Sequence, residues 1–324
     1  MQKPFSLTTL LAVTLAIFFV NGAQAQWPEY THIGEKNYIE IGGRALNRPG
    51  TDLALSILED ATTGATLFSA NQATAASSAA GVELSYHFTT KYANKFEFRT
   101  FTGMWDTSNT IDDGNIVSPL FPGQIADQVV YNYDSSIFSF ELNQKRPLFQ
   151  GATVFGGPRY LQLNDEISYT ATDFAEPIGG IPPFDLSQSQ SIEAINHLIG
   201  LQVGARYEKS LNQFYRGAGF IRVGGFFNPT TVRSSMIAGP IGVPAVTAVD
   251  TEATKATGSF LAEVGGKLYL DFAPGCSCFA GYEATWIDGI ALAPPSFLTT
   301  DTGEVETANT LFFHAITFGM RFGW

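Results

Sequence analysis

The sequence predicts an all-β fold, a transmembrane antiparallel up-and-down β-barrel of about ten strands, or twelve if the longest connections hold a further pair. Three observations predict this fold. Apolar residues recur at alternate positions along most of the 324 residues, which is the period of a β-strand. The connections between these alternating segments are short and long in turn. The last segment ends on an aromatic residue, Trp324.

The N-terminal stretch has the pattern of a secretory signal peptide. A single lysine precedes an apolar run over residues 7–20, and the small residues Ala23 and Ala25 follow at the spacing of a cleavage site. The run is shorter than the roughly 18 apolar residues that a retained membrane helix needs. We therefore expect residues 1–25 to be a cleaved signal peptide and residues 26–324 to form one outer-membrane β-barrel domain.

The charge and the cysteines exclude several classes of partner and cofactor. The chain has 18 Lys and Arg residues against 30 Asp and Glu residues, a formal net charge of −12, which repels nucleic-acid phosphates. Cys276 and Cys278 have no second pair, so they do not form a recognisable zinc site. We expect no nucleic-acid partner, no metal and no cofactor. The cysteines are either a strained local disulfide or two small turn residues, and the second interpretation is favoured.

Each alternating segment has one apolar and one polar face. In residues 259–272 one parity carries Phe260, whereas the other carries Glu263 and Lys267, as expected of a strand that separates two environments. Gly156, Gly157 and Pro158 predict a bulge that leaves the parity of its own segment open. The ten predicted segments are residues 38–46, 82–88, 95–104, 137–143, 153–164, 195–207, 217–227, 259–272, 279–286 and 311–324.

Every second connection between the segments is long. The short turns read TTKYAN, QKRPLFQ, EKSLNQFYR and FAPGCS, and the long connections cover about residues 47–80, 105–135, 165–191, 228–256 and 288–308. Short periplasmic turns, long extracellular loops and an even number of strands are typical of outer-membrane barrels. A soluble β-sandwich has no reason to sort its loops by length. A further pair of short strands would lie at residues 53–58 or 128–132.

The last segment has the pattern of the C-terminal targeting signal of bacterial outer-membrane barrels. Phe318, Met320, Phe322 and Trp324 share one parity and are expected to face lipid, with Trp324 in the aromatic girdle. We expect these four residues to form the barrel-assembly signal. Its partners would be the barrel-assembly machinery and the outer-membrane lipid, and the oligomeric state is left open.

Four strings taken in order, FGGPRYLQLNDEISY, NHLIGLQVGARY, SFLAEVGGKLYL and GYEATWIDGIALAP, carry a resemblance to a known family. The chain resembles the β-barrel porin family of type seven, over nearly all of residues 37–324. The resemblance implies an outer-membrane barrel. It implies no catalytic residues.

The polar parity of the segments predicts a charged lumen. Six acids face six bases there, with His87 beside them. A ten-stranded barrel is only slightly wider than the eight-stranded kind that side chains fill, and buried charges are costly unless they are paired. We therefore expect a network of ion pairs in a plugged or very narrow interior. The predicted lumen-facing residues are Glu40, Arg44, Glu83, Glu97, Arg99, Glu141, Arg206, Arg222, Glu263, Lys267, Glu283 and Arg321.

Two functions follow from these features. The resemblance favours a narrow porin for small solutes or ions, whereas the balanced lumen favours a plugged structural barrel that presents loops for adhesion or partner binding. Acidic loop residues would either gather cations at the mouth or form a solvated surface. Those acidic residues are Asp106, Asp112, Asp113, Glu252, Asp301, Glu304 and Glu306.

Enzymatic activity is not expected. The four histidines are His32, His87, His197 and His314. His197 and His314 have lipid parity, His32 precedes the barrel, and His87 lies toward the periplasmic end of its strand, so no histidine is placed for catalysis at the outer rim.

Overall fold

The structure is a computed structural model that describes residues 37–49, 56–69, 79–90, 94–117, 125–172, 186–240, 247–296 and 305–324. The expected signal peptide, residues 1–25, lies outside the described residues. Within the described ranges, no helix is long and apolar enough to cross a membrane.

The described residues form antiparallel strands and one short helix. The strands are β1 (Tyr38–Asn47), β2 (Ser56–Asp60), β3 (Thr66–Ser69), β4 (Ala79–Thr89), β5 (Lys95–Val117), β6 (Ala126–Phe149), β7 (Ala152–Thr172), β8 (Leu186–Ser210), β9 (Tyr215–Pro240), β10 (Thr247–Ala273), β11 (Cys276–Ile290) and β12 (Asn309–Gly323), and the helix is α1 (Ala293–Ser296).

Ten of these strands close into a ring. The order around the ring is β1, β4, β5 and so on in sequence to β12, which pairs with β1. The ten-stranded up-and-down barrel is thereby confirmed. The hairpin β2–β3 lies outside the ring and pairs with the C-terminal end of β5, where Glu59 lies opposite Val117. It supplies the further strand pair, whereas residues 128–132 belong to β6 itself.

The two ends of the barrel differ. The tight turns share one end with Trp324, whose backbone N–H donates to the carbonyl oxygen of Asn37 at 3.1 Å, and Gly323 donates to Gly275 in the β10–β11 turn at 2.7 Å. We call this the turn end. The opposite end carries the remaining connections and is called the loop end.

The outward face of the ring carries an apolar band. On β12, Phe312, Ile316, Phe318 and Phe322 point outward and are 37–58% exposed. Ten residues separate the first from the last, which at roughly 3.4 Å per residue and a tilt of about 40° is about 25 Å. That is the height of the apolar band of a membrane-spanning barrel, about 25 Å. The prediction of a transmembrane barrel is thereby confirmed.

The wall of the barrel has unequal height. Strands β5 to β10 are 21–27 residues long, and we call the part of them beyond the apolar band the tall wall. Strands β1, β4, β11 and β12 have 10–15 residues. The predicted segments of about 10 residues and the long loops between them are therefore wrong for β5 to β10, where much of each long connection continues the strand. Beyond the apolar band most outward residues are Ser, Thr, Asn or acids, with exceptions such as Ile237, so the apolar alternation that marked the strands fades.

The predicted bulge at Gly156, Gly157 and Pro158 is wrong. The register of β7 with β8 is unbroken through these residues. On the β6 side, Glu141 lies opposite Arg159 and the same register resumes at Gly156, because Pro158 lacks only the N–H that would continue the ladder. The parity of β7 is therefore continuous, and Arg159 points inward.

Two buried apolar clusters fill the loop-end half of the molecule. The first, which we call the apolar layer, lies inside the barrel on the loop-end side of the charged lumen residues and includes Phe101, Trp105, Leu161, Phe226 and Phe313. The second, which we call the outer core, lies farther toward the loop end, against the tall wall, and joins β2–β3 to that wall. It includes Leu58, Phe68, Tyr131, Ile167, Tyr169 and Val232. Burial of this apolar surface stabilises the part of the wall that rises beyond the membrane.

Candidate functional site: the filled barrel interior

The structure places all twelve predicted lumen residues inside the barrel. Eleven of them are buried, and Arg206, near the turn end, is the twelfth, with 15% of its side chain exposed. The four residues of the predicted assembly signal, Phe318, Met320, Phe322 and Trp324, point outward on β12 and beyond it. Alternation along each strand places these groups on opposite sides of the wall.

The centre of the lumen is a connected set of ion pairs, which we call the central network. Arg99 lies at its middle, with its guanidinium 2.9 Å from Glu83, 3.0 Å from Glu283 and 3.3 Å from Glu141. Arg44 bridges Glu83 at 3.0 Å and Glu283 at 2.7 Å. These five residues come from five different strands, so the ion pairs brace the barrel across its diameter.

A second group continues the central network toward β7 and β9. Arg159 makes a bidentate pair with Glu263, with distances of 3.0 Å and 3.1 Å, the geometry that suits a guanidinium and a carboxylate. Arg222 bridges Glu263 at 3.1 Å and Glu141 at 3.2 Å. Gln202 donates to Glu141 at 2.7 Å. Every strand from β6 to β10 therefore contributes a polar side chain to this group.

The side of the lumen near β1 and β10 is held by a lysine. The Nζ atom of Lys267 lies 2.9 Å from Glu83 and 3.2 Å from Glu40. It also stands 4.5 Å from the ring centroid of Phe279, a cation–π contact. Tyr269 donates its hydroxyl to Glu40 at 3.0 Å. Lys267 and Tyr269 on β10 are thereby joined to β1 and β4 across the lumen.

Charged residues at the turn end form a second cluster, which we call the mouth cluster. Arg216 pairs with Asp271 at 2.7 Å and with Glu208 at 2.6 Å. Arg206 pairs with Glu208 at 3.0 Å, and Arg321 reaches the same carboxylate at 3.5 Å. The mouth cluster therefore ties β8, β9, β10 and β12 together where the barrel ends.

Several interior charges were missed by the sequence reasoning. Arg159 was omitted because its segment had no assigned parity, and Lys145, Glu208 and Arg216 were assigned to short turns. Parity is the signal that finds them, since Lys145 continues the inward positions of Glu141 on β6 and Arg216 those of Arg222 on β9. Lys145 pairs with Glu97 at 2.8 Å and contacts Nδ1 of His87 at 2.6 Å.

The signs of the interior charges nearly balance in the part of the chain that the structure describes. With no large surplus of either sign, the wall does not resemble that of a selective ion pore. The ion-paired interior acids are Glu40, Glu83, Glu97, Glu141, Asp165, Glu208, Glu263, Asp271 and Glu283, and the bases are Arg44, Arg48, Arg99, Lys145, Arg159, Arg206, Arg216, Arg222, Lys267 and Arg321.

After β11 the chain turns into the barrel. Gly289, with a φ of +78°, sits at a register shift between Asp288 and Ile290. An added Cβ there would lie 2.5 Å from the carbonyl oxygen of Gly258, so the position favours glycine on both counts. Residues 290–296, which include α1, are all buried. We call them the inward segment, and they occupy the loop end of the lumen.

Three buried side chains hold the inward segment, and we call them the latch. Asn196 donates to the carbonyl oxygen of Ala291 at 2.8 Å and accepts from its backbone N–H at 2.9 Å. Asn228 donates to the carbonyl oxygen of Gly289, directly before the segment, at 3.2 Å. Asp165 accepts from the backbone N–H of Ala293 at 2.9 Å. The latch therefore satisfies backbone groups that would otherwise be buried without partners.

Asp165 is fixed in turn by neighbours beyond the apolar band. Arg48 lies 3.0 Å from the Asp165 carboxylate, and the hydroxyl of Tyr133 donates to the same oxygen. Burial raises the pKa of Tyr133 well above its usual value, so the hydroxyl keeps its proton and remains a donor. Asp165 can thus hold the inward segment without being an unpaired buried charge.

Little space remains among the charged side chains. A cavity of about 20 Å³ lies between Glu40, Glu83, Glu97, Arg99 and Lys267. Such a volume holds about one water molecule. The interior at this level is therefore filled by side chains rather than by solvent.

The outer face of the tall wall carries a row of acids. Asp106, Asp134, Glu166 and Glu193 lie directly opposite one another on β5 to β8. We call them the acidic row, and Arg233 on β9 ends it. Burial, together with the charges of Glu166 and Asp106, raises the pKa of Asp134. Like charges at such cross-strand positions destabilise a sheet.

The expectation that the acidic residues lie in loops is wrong for four of them. Asp106, Asp112 and Asp113 belong to β5, and Glu252 belongs to β10, where its carboxylate lies 3.1 Å from Arg233. They were assigned to loops because the strands were expected to stop at the edge of the apolar band. Asp301 and Glu304 lie outside the described residues.

The cysteines are both free and lie two positions apart on β11. In the part of the chain that the structure describes, no group of three or more His, Cys, Asp or Glu residues is placed to hold a metal ion.

Comparison with known proteins finds similar architecture at low identity. No protein-family model matches the chain, and neither does any curated protein sequence. The resemblance to the β-barrel porin family of type seven is therefore not confirmed.

Among solved structures, the chain is similar to the outer membrane protease OmpT from Escherichia coli, with 8% identity and a TM-score of 0.39 over 89% of this chain and 96% of that one. It is also similar to the transport unit of the autotransporter AIDA-I from Escherichia coli, with 6% identity and a TM-score of 0.30 over 97% of each chain. A Pseudomonas aeruginosa FadL homologue has 9% identity and a TM-score of 0.29 over 89% of this chain and 90% of that one.

Proposed function

We propose that this protein is a plugged outer-membrane barrel whose role is to hold the tall wall of β5 to β10 beyond the membrane, as a surface for partners. The observation that carries the proposal is the filled interior. The central network, the apolar layer and the inward segment succeed one another along the lumen, with a cavity of about 20 Å³ among the charges. A barrel built to conduct would leave a continuous polar path.

The apolar band and the two unlike ends support the outer-membrane assignment. Closed barrels of antiparallel strands are the membrane-spanning β structures, because they leave no unpaired edge in lipid. In bacterial outer-membrane barrels the tight turns are periplasmic. The turn end would then face the periplasm, and the tall wall, the latch and the acidic row would lie on the extracellular side. Export would use the signal peptide expected at residues 1–25.

A narrow porin for small solutes or ions is the second candidate. One observation favours it: the loop end of the lumen is closed by the inward segment, which the few hydrogen bonds of the latch hold in place. Release of this segment would still leave the apolar layer and the central network in the path. Conduction therefore requires a larger rearrangement than the movement of one loop.

Single-channel recording in planar bilayers tests the choice. We expect the refolded chain, verified as folded by its heat-modifiable migration on gels, to give no stable conductance steps. A matched preparation of an open porin in the same bilayer controls for insertion. Stable steps with a reproducible reversal potential would overturn the plugged barrel and establish the porin.

We also propose that the protein is not an enzyme. His87 is stacked on Tyr38 with ring centroids 3.9 Å apart and is closed in by Lys145. His197 and His314 lie on outward positions of β8 and β12, and His32 lies outside the described residues. The test measures hydrolysis of peptides and of phospholipids by the refolded protein beside His87→Ala. Turnover that disappears in the variant would refute the proposal.

The outward face of β12 supports the proposed barrel-assembly signal. Trp324 stacks against Tyr86 of β4, with ring centroids 6.1 Å apart, at the turn end. We expect Phe322→Ser combined with Trp324→Ser to reduce the fraction of heat-modifiable, membrane-inserted protein in cells. The control is Phe312→Ser combined with Ile316→Ser, which removes apolar area from the same face of the same strand. Equal losses in both double variants would mean that only lipid contact matters.

A further inference from the structure

The lipid-facing wall has a concave region on β6 to β9. A groove of about 590 Å³ is lined by Val154, Val203, Ala205, Ile221 and Val223, all at outward positions of β7, β8 and β9. Gly156 also lines it, at an outward position of β7, and because Gly156 lacks a side chain the groove reaches down to the strand backbone there. Its volume is within the range of about 300–1,000 Å³ found for small-molecule sites.

The groove has a polar end toward the periplasm. Gln144 and Arg146, near the turn end of β6, line it there, and Lys209 follows Ala205 on the same outward face of β8. Both cations are exposed. Among the described residues of β6 to β9 that face outward at or below the apolar band, none is a carboxylate. The groove therefore joins an apolar cleft within the bilayer to positive charge at its periplasmic edge.

We propose that this groove binds one phospholipid of the periplasmic leaflet, with an acyl chain in the cleft and the phosphate at Arg146 and Lys209. An acyl chain is the apolar partner that the bilayer supplies to a lipid-facing cleft. A phosphate matches the guanidinium of Arg146 in charge and hydrogen bonding. The inference is independent of whether the barrel conducts, and it uses only the membrane-spanning part of the proposed function.

Native mass spectrometry of the detergent-extracted full chain tests this site, with phosphatidylglycerol and diacylglycerol as probes. The wild-type protein should retain one phosphatidylglycerol through a delipidation that removes loosely bound lipid, and it should retain diacylglycerol less. Ala205→Trp, which fills the cleft, should lose the retained lipid. Ala280→Trp, an equally large change on the lipid-facing side of β11, should keep it.

The charged end is tested separately. Arg146→Gln combined with Lys209→Gln should bind phosphatidylglycerol and diacylglycerol equally, whereas Arg233→Gln, a cation beyond the apolar band, should not alter the preference. If the wild type and Ala205→Trp retain phosphatidylglycerol equally, the groove is not a specific lipid site and the proposal is overturned. A dimer mass that Ala205→Trp abolishes would also overturn it, since a second copy would then occupy the groove.

Discussion

Arg159 illustrates, at the scale of a single residue, why the interior charges have to be considered as pairs. Its guanidinium is buried and makes a bidentate pair with Glu263. Such a pair adds little net stability over apolar side chains of equal volume, because both charges lose their hydration. Removing Arg159 alone is costly, because the Glu263 carboxylate then stays buried with fewer partners.

We expect Arg159→Ala to lower the free energy of unfolding by about 3–5 kcal/mol, the cost of leaving a buried charge without its partner. Urea unfolding in detergent micelles, followed by tryptophan fluorescence, measures the change. Arg233→Ala is the control, because its ion pairs are exposed and should contribute about 0–1 kcal/mol. Similar losses in the two variants would show that the interior is more hydrated than the packing indicates.

The acidic row gives a second expectation at this scale. Protonation of Asp134 removes repulsion between carboxylates in the folded state, and the pKa of Asp134 is accordingly raised. The folded protein therefore gains stability as the pH falls from this raised pKa to the ordinary pKa of Asp in the unfolded chain. Asp134→Asn should stabilise the protein at neutral pH, by roughly 0.2–1 kcal/mol for each cross-strand pair, and the gain should shrink in acid.

Thermal unfolding of wild type and variant at neutral and acidic pH tests this expectation. Asp112→Asn is the matched control, since Gln128 lies opposite Asp112 on β6 and no carboxylate is relieved. A gain from Asp134→Asn that persists unchanged in acid would contradict the assignment to charge repulsion.

At the scale of the element, the inward segment depends on the latch. Asn196 is central, because it satisfies both the N–H and the carbonyl oxygen of Ala291. A buried backbone group without a partner costs about 1–3 kcal/mol. The segment is therefore the element whose position is most sensitive to a single side chain on another strand.

We expect Asn196→Ala to destabilise the protein by about 1–3 kcal/mol and to expose the β11–β12 connection to protease. Limited proteolysis, with cleavage sites mapped by mass spectrometry, gives the second readout. Asn132→Ala removes an exposed outward amide from the same wall and should leave both measurements unchanged. If residues 291–308 remain resistant in Asn196→Ala, the latch does not position the segment.

Element by element, the strands within the membrane were predictable and the structure beyond it was not. Lipid on one side and a packed interior on the other impose strict alternation, which Phe260, Glu263 and Lys267 display on β10. Beyond the apolar band, solvent replaces lipid and the alternation loses its contrast. The inward course of the β11–β12 connection depends on Asp165 and Asn196, whose distance from it in sequence leaves no local signal.

At the scale of the whole molecule, the twelve predicted lumen charges were found because a small barrel has room for few alternatives. Parity fixes which side of the wall each residue faces, and a ring of ten strands brings the inward charges within ion-pairing distance. Which acid meets which base was not predictable, since Arg99 contacts residues from β4, β6 and β11. Those contacts depend on the stagger of the strands, which alternation does not encode.

The pairing of β1 with β12 has a consequence for the order of folding. This ladder joins Tyr38 to Gly323 and is limited to the ten residues of β1, whereas the β9–β10 ladder runs from Thr247 to Leu270. Closing it confines nearly the whole chain into one loop, an entropic cost that grows with loop length, and such non-local pairing slows folding. This ladder, the most non-local in the ring, is therefore expected to form last, and local unfolding is expected to begin where β1 meets β12.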